Sequence, residues 1–362
     1  MSHEWAEPEL GWPTTAVDVT PEWLTAALAE RHPGTEVGAV EVLERDEVTN
    51  AHARLRVTYA HSTDAPEVLF CKLPPNDARR AQIIATGMGH REARFYAELA
   101  PSLATRVPEA HVARTDDEGR FVLLLEDLVT AGCEVSDGTW GIPVDSAAGA
   151  IEDLAALHVR FDDPARRAAE APWVHVSRPT SDYAAGMLRE GIDHHRDRLT
   201  DSFVDIAEIY IAHHDELQRL WHEGPHTVIH GDTHIGNLFL DDGRVGFLDW
   251  GIINVNTPMR DISYLLTMAM SVDDRRAHER DLLRFYLELR RAAGATEITF
   301  DEAWWAHRIH ASYNVTASCQ VVRFPENISE QRRVFADHFL ERAQASLDDL
   351  EARAALREAA GL

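Results

Sequence analysis

Two short segments of the chain combine acidic and amide side chains at a spacing that suits metal and phosphate chemistry. Residues 230–237 read HGDTHIGN, and residues 246–251 read GFLDWG. Together they supply the carboxylates of Asp232 and Asp249 and the carboxamide of Asn237, which are the hard oxygen ligands that Mg²⁺ prefers. Asp and Asn also favour turns for conformational reasons, so one of them alone would carry little weight. All three in this arrangement favour a site for phosphoryl transfer, in which Mg²⁺ neutralises charge on the phosphate oxygens.

The sequence between these segments predicts a β-hairpin. Two apolar runs, 238–240 and 245–248, flank an Asp-Asp-Gly turn sequence. Because a hairpin brings its two outer ends together, we expect Asn237 and Asp249 to lie close to each other, with Asp232 just upstream. The predicted metal site therefore depends on this turn.

The same residues carry a resemblance to a known family. The pattern H-G-D-x-x-x-x-N followed by D-W-G is similar to the H-R-D-x-x-x-x-N loop and D-F-G element of protein kinases. Residues 230–251 resemble the signature of the aminoglycoside phosphotransferase superfamily, which also contains choline, ethanolamine and ecdysteroid-type small-molecule kinases. The resemblance implies that Asp232 is the catalytic base and that Asn237 and Asp249 hold Mg²⁺. It also implies that His230 braces the loop.

The resemblance further implies a fold and a division of the chain. We expect an α+β chain with a protein-kinase-like two-lobed fold. An N-terminal nucleotide-binding lobe over 1–127 would contain an antiparallel β-sheet and a helix, and a larger, mainly α-helical lobe over 128–362 would bind the substrate. Asp261 resembles a structural aspartate that follows the D-W-G element in the family.

The residue patterns predict a similar order of elements. Thr20 is an N-cap residue for a first helix that begins at Pro21. Elsewhere, apolar and β-branched runs bounded by turn residues predict strands, and apolar residues at helical spacing predict helices. The predicted strands of the first lobe cover 40–43, 53–59, 67–73, 110–113 and 121–125, and predicted helices cover 81–99, 275–293, 301–320 and 329–358.

A lysine in the first predicted lobe is a candidate phosphate ligand. Lys72 follows the apolar run 68–71 near the end of the third strand, and Glu92 lies on the next helix. A lysine held by a carboxylate can direct its ammonium group to the α- and β-phosphates of a nucleotide. Taken alone, Lys72 is more typical of an exposed strand end and Glu92 of a solvated helix face, but the downstream motif favours the functional pair. Glu98 is a competing partner for the lysine.

Further nucleotide contacts follow from the resemblance. The segment 45–53 between the first two strands contains no glycine, unlike the glycine-rich loop of protein kinases. Small-molecule kinases often carry Ser or Thr and an Asn there, so Thr49 and Asn50 are the candidates. The run LLLEDL resembles the interlobe hinge, with the carbonyl of Glu126 and the N–H of Leu128 as partners for adenine. The same run is also compatible with a core strand that leads into a loop.

Composition limits the partners. The chain has 61 acidic and 35 basic side chains and a formal net charge of −26, so its surface repels nucleic acid and anionic lipid and tolerates a cationic substrate. A solvated acidic surface explains the same charge.

The 3 cysteines of the chain are widely spaced and form no disulfide framework. The first residues lack a signal-peptide pattern, and no apolar run is long enough to span a bilayer. We therefore expect a cytoplasmic protein with neither a nucleic-acid nor a membrane partner.

Two hypotheses follow for function. The first is Mg²⁺-dependent transfer of the γ-phosphate of ATP or GTP to a hydroxyl of a small molecule. The acceptor stays open among aminoglycosides, choline-like amines, sugars, amino alcohols and steroid- or lipid-like alcohols, as does the choice between monomer and homodimer. The second is a catalytically silent nucleotide- or ligand-binding protein on the same fold. The glycine-free loop favours this second hypothesis, and the three motif side chains oppose it.

Overall fold

The computed structural model describes residues 11–47, 49–177, 183–325 and 328–362. The chain forms two compact units, listed here by their segments: Met1–Val135 with Phe247–Ile252, and Ser136–Gly246 with Ile253–Leu362. The predicted α+β fold class, with an antiparallel sheet in the N-terminal part, is confirmed. Within the described residues, no helix has the length and apolar character needed to cross a membrane.

The first unit is built around a five-stranded antiparallel sheet. Its elements are α1 (Pro21–Leu28), β1 (Val37–Glu47), β2 (Ala51–Tyr59), β3 (Val68–Leu73), α2 (Arg80–Ala85), α3 (Met88–Arg94), β4 (Ala110–Thr115), β5 (Phe121–Glu126) and β6 (Glu134–Val135). The spatial order of the sheet is β1-β2-β3-β5-β4. As predicted, Thr20 caps α1, accepting a hydrogen bond from the Trp23 N–H at 3.2 Å. The apolar face of α1 packs on the sheet, with Leu24 and Leu55 fully buried in the shared core.

The helix predicted over 81–99 is interrupted. Gly87 adopts a left-handed φ of 66° between α2 and α3, and a single π-helical turn follows α3. Within α3, Gly89 lies against the ring of Phe121 on β5, and a Cβ at this glycine would be 2.0 Å from a ring carbon. The missing side chain therefore lets α3, which carries Glu92, approach the sheet closely.

The second unit is mainly helical. Its elements are α4 (Val144–Arg160), α5 (Pro164–Glu170), α6 (Tyr183–His195), α7 (Asp201–Leu220), β7 (Thr227–Ile229), β8 (Leu238–Asp241), β9 (Arg244–Phe247, whose last residue belongs to the first unit), β10 (Asn254–Asn256), α8 (Met259–Ala269), α9 (Val272–Ala292), α10 (Phe300–Ala311), α11 (Tyr313–Ala317), α12 (Glu330–Asp349) and α13 (Ala352–Ala360). Strands β7 and β10 pair antiparallel. The helices predicted over 301–320 and 329–358 are each divided, the second where Glu351 adopts a φ of 47°.

The predicted hairpin is formed by the neighbouring strands β8 and β9. Asp242 and Gly243 connect them with φ values of 48° and 81°. Two consecutive left-handed residues are what a two-residue type I′ turn requires, and Asp-Gly supplies them at low cost. Asn237 directly precedes β8, and Asp249 follows the end of β9 at Phe247.

We predict opposite effects for two Gly→Ala substitutions in helices. Gly89→Ala lowers the free energy of unfolding by about 1–3 kcal/mol, because the added methyl group overlaps the ring of Phe121. Gly186→Ala in α6, where no heavy atom lies within 4 Å of the added Cβ, raises it by up to about 1 kcal/mol. Denaturant titration followed by circular dichroism measures both. Equal changes for the two variants would contradict the close approach of α3 to β5.

Candidate active site

A buried lysine in the first unit lies beside two carboxylates. Lys72 on β3 is 5% exposed, and its Nζ is 2.6 Å from Oε2 of Glu92 and 3.4 Å from Oδ1 of Asp249. Of the two glutamates considered from the sequence, Glu92 is the partner of the lysine. Glu98 instead pairs with Arg94 at 2.7 Å. The contact between Lys72 and Asp249 was not predicted, because the sequence pattern suggested only a metal ligand at that position.

Burial and the neighbouring charges shift the pKa values of the groups in this cluster. Burial alone would lower the pKa of Lys72, but Asp249 and Glu92 raise it above its ordinary value. Burial raises the pKa of Glu92 to about 7, against the opposing effect of the Lys72 ammonium. His52, opposite Lys72 on β2, has its pKa lowered to about 4 by burial and by the lysine. At physiological pH the lysine is therefore charged and His52 is neutral.

The segment that carries Asp249 is fixed by packing within the first unit. Trp250 is fully buried, and its ring stacks on Phe95 with 3.8 Å between the ring centroids. Arg91 donates a hydrogen bond to the carbonyl of Gly251 at 2.9 Å. Asp249 itself adopts a φ of 53°, in the left-handed region where Asp is enriched. Its side chain remains 41% exposed, so the carboxylate contacts the lysine and is still accessible to a ligand.

The other candidates for nucleotide contacts lie in the same unit. Asn50 is buried and its Oδ1 has no hydrogen-bond partner among the described residues, while Thr49 is half-buried. The carboxylate of Glu126 accepts two hydrogen bonds from Arg106, each of 2.9 Å. The N–H of Leu128, just beyond β5, donates to no atom in the described part of the chain. The Leu128 N–H thus has no partner among the described residues, whereas the Glu126 carboxylate is bonded to Arg106.

In the second unit, a buried aspartate holds the backbone of residues 230–237. Asp261 on α8 is fully buried and accepts hydrogen bonds from the N–H groups of His230 and Gly231, each at 2.7 Å. The Thr233 hydroxyl donates to the carbonyl of Asp261 at 2.8 Å. Gly231 adopts a φ of 90°, which residues with side chains rarely adopt. The loop therefore depends on both the glycine and the aspartate, in keeping with the structural role that the resemblance implied for Asp261.

His158 on α4 extends this buried network. Its Nε2 is 3.2 Å from Oδ2 of Asp261, and its Nδ1 is 2.8 Å from the hydroxyl of Tyr286. Burial would raise the pKa of Asp261, but the hydrogen bonds from His158 and from the Gly231 N–H hold it below its ordinary value. Burial lowers the pKa of His158. The position of His158 among apolar residues at helical spacing predicts a packing and hydrogen-bonding residue, but the sequence did not identify Asp261 as its partner.

Asp232 lies in the same loop beside Asn237 and two histidines. The Nδ2 of Asn237 donates to Oδ2 of Asp232 at 2.8 Å and to its carbonyl at 3.0 Å. The Asp232 N–H donates to Nδ1 of His230 at 3.1 Å, which is the bracing role that the resemblance implied. His234 is near the same oxygen, with Nε2 3.6 Å from Oδ2 of Asp232. Because Asn237 donates through its nitrogen, its Oδ1 is left as an acceptor.

A protein-family model and several solved structures are similar to this chain. A family model described as the phosphotransferase enzyme family matches residues 47–304. Similar solved structures include macrolide 2'-phosphotransferase MphH from Brachybacterium faecium, with 17% identity, coverage of 86% of this chain and 96% of that chain, and a TM-score of 0.45. The GDP complex of aminoglycoside 2'-phosphotransferase-IIIa shows 14% identity, 89% and 99% coverage, and a TM-score of 0.48. A choline/ethanolamine kinase family protein from Mesorhizobium loti shows 16% identity, 89% and 93% coverage, and a TM-score of 0.46. No curated protein sequence matches the chain significantly.

Replacing Asp261 tests how the loop is held. We predict that Asp261→Asn lowers the free energy of unfolding at neutral pH by about 2–3 kcal/mol, because backbone N–H groups lose a charged acceptor. Since the pKa of Asp261 lies below its ordinary 3.8, its contribution is present above that pH and is lost as pH falls through the lower folded-state value. Denaturant titrations at several pH values check this. The difference between wild type and variant should shrink in acid, and a difference independent of pH would contradict the charge-based explanation.

Proposed function

We propose that this chain, which belongs to the phosphotransferase enzyme family, transfers the γ-phosphate of ATP or GTP to a hydroxyl group of a small molecule with the help of Mg²⁺. The observation that carries the proposal is the cluster of Lys72, Glu92 and Asp249, in which a buried ammonium is fixed beside an accessible carboxylate. Such an arrangement suits a ligand that presents both a polyanion and a divalent cation.

The first unit supplies the nucleotide contacts in this proposal. The ammonium of Lys72, oriented by Glu92, binds the α- and β-phosphates. The N–H of Leu128 and the carbonyl of Glu126 bind the adenine or guanine base. Thr49 and Asn50 replace the glycine-rich loop of protein kinases at the phosphates. The Leu128 N–H, which donates to no atom among the described residues, supports the base contact.

Asn237 and Asp249 are the proposed Mg²⁺ ligands. Their donor atoms fit a hard cation, because the Asp249 carboxylate is 41% exposed and the Asn237 amide donates through nitrogen and leaves oxygen as an acceptor. The described residues contain no group of three His, Cys, Asp or Glu side chains that would form a metal site of their own. Nucleotide phosphates and water would complete the coordination, and the bound ion would neutralise charge on the phosphate oxygens.

Asp232 is the proposed general base. Its carboxylate accepts the proton of the acceptor hydroxyl while the hydroxyl oxygen forms a bond to the γ-phosphorus. The bond from that phosphorus to the β,γ-bridging oxygen breaks, and the nucleoside diphosphate leaves. Asn237 holds one Asp232 oxygen at 2.8 Å, which supports a fixed orientation of this carboxylate. Most of the rate enhancement in this scheme comes from positioning and charge stabilisation.

The acceptor in this proposal is a small molecule with a free hydroxyl. The net charge of −26 favours neutral or cationic acceptors over anionic ones. A screen that couples nucleotide consumption to a panel of aminoglycosides, choline-like amines, sugars and hydrophobic alcohols identifies the class. ATP and GTP are supplied in separate arms. Nucleotide binding without transfer to any acceptor would favour a catalytically silent binding protein.

The role of Asp232 leads to a kinetic prediction. Asp232→Asn lowers kcat by about 10²–10⁴-fold, the range typical of a lost general base, while nucleotide affinity stays within about twofold. Steady-state kinetics with the best acceptor and calorimetric titration with Mg-nucleotide measure the two quantities. Asp242→Asn, an exposed substitution in the nearby turn that replaces Asp-Gly with the equally turn-compatible Asn-Gly, is the matched control. Full activity of the Asp232 variant would remove the assignment.

A second prediction concerns Asp249. Asp249→Asn lowers activity by about 10²-fold or more and raises the Mg²⁺ concentration needed for half-maximal rate, because one anionic oxygen ligand is lost. Rates measured over a Mg²⁺ titration check both effects, with Asp242→Asn again as the control. An unchanged Mg²⁺ dependence would show that the proposed ligand set is wrong.

A further inference from the structure

An arginine of the first unit lies on the same face of the five-stranded sheet as Lys72. Because side chains alternate between the two faces of a strand, Cys71 points to the opposite face, where it is buried in the core shared with α1. Arg54 on β2 is paired with Phe70 on β3, two residues before the lysine. Cross-strand partners share a face, so Arg54 and Phe70 lie on the face of Lys72, one row of side chains away from it.

The guanidinium of Arg54 is fixed beside the segment that follows β5. Phe70, its neighbour on β3, pairs in turn with Leu125 near the end of β5. Asp127, which precedes Leu128, is 5% exposed and accepts hydrogen bonds from Nε of Arg54 at 2.6 Å and from Nη2 at 2.9 Å. Both oxygens of the carboxylate take part, so the aspartate sets the orientation of the guanidinium plane.

The Arg54 side chain is still accessible, although its partner is buried. It is 27% exposed, and its remaining nitrogen, Nη1, is 3.8 Å from the exposed carboxylate of Glu44. The rings of His52 and Phe70, on the same face, lie with their centroids 5.4 Å apart. A carboxylate bound at the edge of a guanidinium leaves the flat faces of the group for stacking, so this part of the sheet presents planar groups.

The spacing of the two basic groups matches the two ends of a nucleotide. Neighbouring rows of side chains on one face are about 7 Å apart, because each residue of an antiparallel strand rises about 3.4 Å. In the proposed function, Lys72 binds the phosphates at one row and the N–H of Leu128 binds the base beyond the next row. The ribose and base must then extend along the row that contains Arg54.

We propose that Arg54 is a base-recognition residue, whose guanidinium, oriented by Asp127, stacks on the purine ring of the nucleotide. This inference rests on the proposed function, because it takes the phosphate contact of Lys72 and the base contact of Leu128 as given. A guanidinium stacks on an aromatic ring through cation–π and π contacts. Arg54 therefore contributes affinity for the base and not for the phosphates, and the site selects a purine nucleotide over an inorganic polyphosphate.

A conservative substitution separates stacking from charge. Arg54→Lys keeps the positive charge and loses the plane, so it should weaken the binding of Mg-ATP and Mg-GTP about three- to tenfold and leave Mg-tripolyphosphate within about twofold. Calorimetric titration of the full chain without an acceptor measures the three affinities. Arg56→Lys, at an exposed arginine two residues along the same strand, is the matched control and should change none of them. Equal weakening of all three ligands, or unchanged nucleotide affinity in Arg54→Lys, would overturn the proposal.

A spectroscopic measurement on the wild type does not depend on the folding of a variant. In ¹⁵N-labelled protein, the Nε–H resonance of Arg54 is identified by through-bond correlation to its own backbone. Saturating Mg-ATP should move this resonance by a ring-current shift, and Mg-tripolyphosphate should move it much less. Equal shifts with both ligands would contradict stacking.

The two experiments also distinguish this inference from the proposed function. A wild-type chain that binds neither nucleotides nor tripolyphosphate would refute both. A wild-type chain that binds nucleotides, with an Arg54→Lys variant that binds them equally well, would refute the role of Arg54 alone.

Discussion

A buried ammonium group must be paired with negative charge, and this requirement organises the first unit. Taking the Lys72 side chain out of water costs several kcal/mol, which only nearby opposite charges can offset. The two carboxylates that do so come from distant parts of the chain and are supported differently. Glu92 is close to the lysine because Gly89 lets its helix lie directly on the ring of Phe121. Asp249 is close because the stacked ring of the next residue anchors its segment.

The second unit uses a buried charge of the opposite sign for a similar purpose. Asp261 has no lysine or arginine among its ion-pair partners in the described residues, and its charge is stabilised by backbone N–H groups and by His158. These hydrogen bonds fix the backbone on the N-terminal side of Asp232, while Asn237 fixes the carboxylate from the other side. In each unit, a partly exposed carboxylate therefore depends on a better-buried partner. Asp249 contacts the buried Lys72, and the loop that carries Asp232 is held by the buried Asp261.

Local sequence signals predicted the elements of this structure better than its contacts. Alternating apolar residues, the Asp-Gly turn and the Thr20 cap each act over a few residues, so the strands, the hairpin and the first helix were predictable. The break at Gly87 was missed because apolar spacing continues across it. The pairs Lys72–Asp249 and His158–Asp261 join residues 177 and 103 positions apart, and packing of whole elements decides such pairs. No pattern in the sequence encodes them directly.

The energetics of the lysine cluster bear on whether the site is functional. A buried ion pair is often no more stabilising than apolar residues of similar size, so stability alone gives no reason for this arrangement. The pKa of Glu92 rises to about 7, which means that the folded chain holds its ionised form less well than water does. Asp249 adds the strain of a left-handed backbone. These costs fall on a proposed Mg²⁺ ligand, Asp249, and on Glu92, the residue that orients the proposed phosphate ligand Lys72. In the proposed function, a bound Mg²⁺-nucleotide would offset them.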